Sequence, residues 1–368
     1  MTDRAVGATA AATAAYADQF RDAFARTYFR PLDGLAASSV GIGTCVGPPT
    51  DTVDDRYREA IRLALEHGVN LLATAADARC GRAEGVVGDA LASADVDREA
   101  VILVTRGGFV PFDGDRPADP GQFVRAQYVD TGVVDVDDLV MGAHCLSPSF
   151  LDHQIDRSRA ALGVDTIDCY LLQAPEVQRD EHPEETVYDR LEDAFRTLER
   201  RVEDGAIRCY GVATRSAFRV GPGHDRYLSL RSVVARARAA ATAAGADATH
   251  FRVVDLPFSA TMAGAFTRPV HEGFDGETAA LRFCRDAGLD VLASSPLAGG
   301  DLVGSLPAHV ADRVEGETGA QRALNFARSA PGVVSAVAAT SRSAHVRENI
   351  AAGTFEPLGA RAFDQTFD

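Results

Sequence analysis

The chain predicts a (β/α)8 TIM barrel, carrying an N-terminal helical extension and a long loop between the third strand and its helix. Three observations lead there. Eight short apolar, β-branched runs recur along the 368 residues. A stretch of helical period follows each of them, and glycine closes several of those helices. Parallel strands covered on both faces read as near-continuous apolar runs, which distinguishes them from the alternating pattern of a half-exposed sheet.

The runs fall at residues 38–42, 69–73, 100–105, 166–172, 207–212, 251–257, 290–295 and 333–339. The helical stretches fall at 54–67, 82–93, 150–162, 187–204, 230–244, 277–287, 318–329 and 344–352. His67-Gly68, Asp204-Gly205 and Ala287-Gly288 supply the left-handed residue that ends a helix. A doubly wound sheet is the alternative, but Gly41-Ile42-Gly43-Thr44-Cys45-Val46-Gly47 runs into Pro48-Pro49 instead of a helix, which does not suit a dinucleotide-binding turn.

Residues 1–35 form the predicted extension. Tyr16, Phe20, Phe24 and Tyr28 stand four apart over residues 8–29, which reads as one face of a helix docked on the barrel, closed by Pro31 and Gly34. Residues 36–355 form the barrel and 356–368 a tail. The loop of residues 107–148 carries Tyr128, His144 and Cys145, and on a barrel such a length predicts a functional cover over the C-terminal face.

Composition excludes several roles. Asp and Glu total 53 against 37 Lys and Arg, a net charge of −16, and all 37 basic residues are Arg. This acidic, lysine-free surface predicts a halophilic, cytoplasmic protein that repels nucleic acid. Without lysine there is no Schiff-base chemistry. No apolar run reaches membrane-spanning length, and no signal peptide is read at the N-terminus. Cys45, Cys80 and Cys145 with His144 lie in loops after strands but form no close-spaced pair, so no metal is expected.

Gly41-Ile42-Gly43-Thr44, Gly68-Val69-Asn70, the run of residues 158–168, Gly205-Ala206-Ile207-Arg208-Cys209-Tyr210-Gly211-Val212 and Arg347-Glu348-Asn349 occur in register along residues 36–355. Together they resemble the aldo-keto reductase family. Residues 78–80, 107–114, 144–148 and 323–331 look like a divergent bacterial and archaeal branch with a long loop after strand three.

The resemblance implies NADP(H)-dependent carbonyl reduction by a Tyr acid, a Lys–Asp pair that lowers its pKa, and a substrate-orienting His. At those positions this chain has Ala78 for the Tyr, Arg106 for the Lys, Ala73 for the Asp and Gln173 for the His. No acid, activator or orienter of the usual kind is retained, so the expectation is a pseudoenzyme holding a nucleotide, a small ligand or a protein partner at the barrel mouth. Tyr128 or His144 in the long loop is the alternative acid for an active oxidoreductase, and Asp77, Arg79, Arg106 and Asp255 are candidates for non-redox chemistry.

On the cofactor side the resemblance aligns Asp255, Ser259 and Ser294 with the family's nicotinamide contacts, all changed. Ser295, Leu297 and Gly300 retain the form of its pyrophosphate loop. Thr340, Ser341 and Arg342 stand where a 2′-phosphate would sit, and Glu348 with Asn349 match its adenine contacts.

Overall fold

A computed structural model describes residues 7–367; the first six residues of the N-terminal extension and Asp368 of the tail lie outside them. Eight parallel strands close a barrel: β1 (Val40–Gly43), β2 (Leu71–Ala73), β3 (Ile102–Gly107), β4 (Ile167–Gln173), β5 (Ile207–Ala213), β6 (Phe251–Pro257), β7 (Asp290–Ser294) and β8 (Val333–Ala339). Each pairs with the next, and β8 returns to β1. The helices following them are α1 (Asp51–Glu66), α2 (Ala83–Ser93), α3 (Pro148–Leu162), α4 (Glu184–Glu203), α5 (Leu230–Ala244), α6 (Ala280–Asp286), α7 (Gly319–Ser329) and α8 (Ser343–Ala351). The (β/α)8 reading of the sequence holds.

Strand periodicity decides what faces the interior. Leu71, Ile102, Val104, Cys169, Leu171, Cys209 and Val253 share one buried cluster inside the barrel. Advancing two residues from the last interior residue of each strand brings the same face to Ala73, Arg106, Gln173 and Asp255. Register keeps these ends level, with Gln173 opposite Ala213 and Ala213 opposite Asp255. The polar groups therefore converge at the C-terminal end, where barrel enzymes place their chemistry.

The opposite end is closed by a hairpin. The expected helix over residues 8–29 stops at Gln19; a 3-10 turn (Arg21–Ala23) follows, then antiparallel strands Phe29–Leu32 and Leu35–Ser38. The hairpin turn is Asp33-Gly34, with φ of 46° and 81°, the left-handed pair that a two-residue turn requires. Leu32 and Leu35 pack into the barrel's interior cluster. The four-residue spacing of aromatics came from a cluster, not one helix face: Tyr16 lies 5.0 Å from Phe20, and Phe24 stacks on Tyr28 at 3.8 Å, centroid to centroid. At the other terminus a short helix, Ala360–Asp364, sets Phe363 against Phe326 at 5.1 Å, so residues 356–367 pack on the barrel.

The long loop is not a cover over the cavity. Val110, Val124, Tyr128, Val134 and Cys145 build a separate small core against Phe150 of α3. No residue between Gly107 and Leu172 lines the mouth of the barrel. The loop's apolar residues bury one another beside the barrel, which satisfies them without crossing the opening.

Candidate functional site

The barrel mouth holds a cavity of about 400 Å³, with walls from the ends of β3, β4, β5, β6 and β7 and the turns after β1 and β2. Its polar lining includes Cys45, Asp77, Arg79, Arg106, Gln173, Thr214, Arg215 and Asp255; its apolar lining is Ala75, Ala78, Ala174, Ala213 and Pro257. Ala73 lies at the end of β2, buried and just below.

Arg106 and Asp255 form an ion pair across the barrel, Nη2 to Oδ2 at 2.5 Å, with the aspartate side chain 2% exposed. Burial works against the Arg106 charge, but Asp255, Cys45 and Asp77 together more than offset it and hold the guanidinium above its ordinary pKa. Asp255 was expected to contact a cofactor amide; its carboxylate is engaged by Arg106 instead. The reason is local: with Ala73 on β2 there is no neighbouring carboxylate for a cation on β3, and Asp255 supplies one.

Asp77 lines the cavity beside Gln173. Burial raises its carboxyl above the ordinary range, against hydrogen bonding that includes Gln173 and against the Arg215 and Arg106 guanidiniums. Its Oδ1 and the Gln173 Oε1 have no hydrogen-bond partner. Arg79, Cys80 and Gly81 follow with φ of 52°, 58° and 88°, three consecutive left-handed residues. At Gly81 a Cβ would fall 2.0 Å from the Phe112 carbonyl oxygen. This strained turn swings Arg79 outward to Asp54 on α1, with its guanidinium 5.1 Å from the Tyr57 ring.

A second cleft of about 440 Å³ adjoins the first, and the two share Cys45, Arg106, Ser294 and Ser295. Ser295, Leu297, Gly300, Thr340, Glu348 and Asn349 all line it. Ser341 and Arg342 do not. Left-handed Ser295, Ala298, Gly299 and Gly300 coil the loop after β7 tightly along one wall. His345 also lines the cleft and had gone unnoticed in the sequence, although it stands three residues before Glu348 on the same face of α8. Thr214 and Arg215 were missed too; they lie just past Ala213, at a strand end.

Tyr128 and His144 do not reach the cavity. The Tyr128 hydroxyl donates to the Pro111 carbonyl at 3.2 Å inside the loop's own core. His144 is fully buried. Its Nε2–H donates to the Gln173 carbonyl at 2.8 Å, and its Nδ1 accepts from the Gln178 amide at 2.8 Å. Arg190 in turn donates to Gln178 Oε1 at 2.9 Å. Both ring nitrogens are thus committed to holding the end of β4. Burial pushes the His144 pKa down to about 4.

This yields a pH prediction. Between about pH 6.5 and 4 the unfolded chain binds a proton at this histidine and the folded chain does not, so stability must fall as pH falls through that window. Wild type is expected to lose about 3 kcal/mol more than His144→Gln between pH 7 and 4, measured by urea unfolding of both proteins. Parallel losses would show that His144 titrates normally.

Among the described residues no group of three or more His, Cys, Asp or Glu could hold a metal ion, and no helix is long and apolar enough to cross a membrane.

Residues 39–220 match the model of the aldo/keto reductase family. A curated relative named 6-dehydroglucose reductase, from Novosphingobium aromaticivorans, is 29% identical over 194 residues, which cover 50% of this chain and 51% of its own. The chain thus matches about half the length of that relative. Among solved structures, an aldo-keto reductase from Bacillus halodurans in its holo form superposes with a TM-score of 0.62 at 19% identity, over 92% of this chain and 96% of its own. One from Klebsiella pneumoniae in complex with NADPH gives 0.58 at 20% identity, over 92% and 93%. At such identities these neighbours show a shared fold.

Proposed function

We propose that this member of the aldo-keto reductase superfamily binds NADP(H) in the cleft beside β8 but lacks the tyrosine-centred carbonyl reduction of its relatives, and holds a small ligand at the barrel mouth. One observation carries the reading. Ala78 presents a methyl group to the cavity and Ala73 one to the adjoining cleft, and the cation that would lower the pKa of a phenol is tied to Asp255. Hydride transfer to a carbonyl leaves an alkoxide-like oxygen that needs a proton donor within reach and a cation beside it. Neither Tyr128 nor His144 faces that position.

The cleft supports the cofactor half of the reading. Glu348 and Asn349 offer polar groups at one end, while Val337, Ala338 and Ala339 leave room for a flat ring system against β8. The neighbour from Klebsiella pneumoniae has NADPH bound in the same fold. A bound nicotinamide would supply hydride; the residues here would position it.

Titration of NADPH into the full chain by fluorescence is expected to saturate at micromolar concentration, with no oxidation of NADPH above background across a panel of aldehydes in high salt. Turnover at rates of ordinary enzymes, roughly 1 per second or faster, would overturn the absence of reduction. No binding would overturn the cofactor assignment.

Asp77 favours a second reading, that of an active reductase with a relocated acid, in keeping with the reductase name of the curated relative. Its carboxyl is raised by burial and lies at the cavity wall. In this reading a bound nicotinamide would supply the hydride, and the Asp77 carboxyl at the cavity wall would give a proton to the carbonyl oxygen. Any turnover that Asp77→Asn abolishes without weakening NADPH binding would support it over the first.

A further inference from the structure

We propose that the ligand of the mouth cavity is a small polyhydroxylated anion, its carboxylate or phosphate held by Arg215 and the open side of Arg106, and its hydroxyls by Asp77 and Gln173. This rests on the reading of the mouth as a ligand site and specifies the chemistry of that site.

One guanidinium at the cavity, not the sum of its charges, points to an anion. Of its three guanidiniums, Arg79 is neutralised by Asp54 and Arg106 by Asp255. Arg215 is exposed and forms no ion pair among the described residues; its guanidinium lies over the face of Phe109, at 5.4 Å, and acts on Asp77 only through space. In a chain of net charge −16, an unpaired arginine at the mouth of a polar cavity is a ready anchor for carboxylate or phosphate, which its planar fork matches.

Hydroxyls follow from the remaining acceptors. Asp77 Oδ1 and Gln173 Oε1 lack donors, and buried acceptors without partners are costly. A bare carboxylate brings no donor to them. A hydroxyl group donates and accepts, so it can meet Asp77 or Gln173 while neighbouring oxygens meet arginine. The wall also excludes alternatives: no aromatic or large aliphatic side chain lines the cavity, so a flat aromatic anion would find nothing to stack on. A volume of about 400 Å³ suits a six-carbon sugar acid or sugar phosphate.

Calorimetric titration of the full chain, preloaded with NADPH and free of it, would compare gluconate, glucose 6-phosphate, glucose and benzoate. Gluconate or glucose 6-phosphate should bind at least about tenfold tighter than glucose or benzoate, since a charge-assisted pair and the hydroxyl contacts each contribute on that scale. Which of the two binds tells carboxylate from phosphate. Arg215→Gln, at an exposed position, should weaken that binding at least about tenfold, and Asp77→Asn should narrow the gap between gluconate and benzoate. Equal binding of benzoate, equal binding of glucose, or indifference to Arg215→Gln would each overturn the proposal. If none of the four binds while NADPH still saturates, the polyol anion is overturned and the cofactor reading stands; if NADPH fails as well, both fall.

Discussion

A chain carrying Ala73→Asp, Ala78→Tyr, Arg106→Lys, Gln173→His and Asp255→Gln together is expected to oxidise NADPH with an aldehyde at least about 100 times faster than the unaltered chain. A positioned general acid contributes roughly 100- to 10,000-fold. Ala73, Arg106, Gln173 and Asp255 occupy the inward positions at the ends of four strands, and Ala78 lines the same cavity. Asp255→Gln belongs in the set because Asp255 would otherwise draw a lysine at 106 away from an aspartate at 73. Ala78→Tyr alone should gain far less: without a free cation beside it, a phenol in this cavity keeps a high pKa and donates poorly. The measurement is the loss of NADPH absorbance at saturating aldehyde. If the fivefold variant binds NADPH and gains nothing, the cofactor does not present its hydride to this cavity, and the proposed layout of the site is wrong.

That experiment depends on how far the site could be read from the chain itself. The barrel was legible because each strand is a buried apolar run and several helices end at a glycine, signals confined to a few neighbouring residues. The ends of β2, β3 and β4 were legible through the family resemblance, whose motifs align with Ala73, Arg106 and Gln173. What crosses the barrel was not. Arg106 and Asp255 are 149 residues apart, and no local pattern announces that one neutralises the other. The long loop misled because length predicts a cover, while its own valines and Tyr128 were the sign of a private core. Asp33-Gly34 was a hairpin signal passed over in favour of aromatic spacing.

The Arg106–Asp255 pair leads to the other large effect. Arg106→Leu leaves a carboxylate that is 2% exposed with no counter-charge, and Asp255→Leu leaves a guanidinium that is 16% exposed. Breaking a buried pair from one side costs about 3–5 kcal/mol, so each single variant should unfold at markedly lower urea concentration with an unchanged slope. Replacing both by Leu removes the two desolvation penalties along with the attraction. The double variant should therefore return to within about 1–2 kcal/mol of wild type or exceed it. Non-additivity of that size is the signature of direct coupling. Because the pair is enclosed, it should persist in molar salt, where exposed ion pairs of this acidic surface are screened. Additive single and double effects would mean that the two charges are solvated separately, and Arg106 would then be free to pair with a ligand in place of Asp255. The stability cycle thus decides how much of the Arg106 guanidinium is available to the anion, and how much is spent on holding β3 against β6.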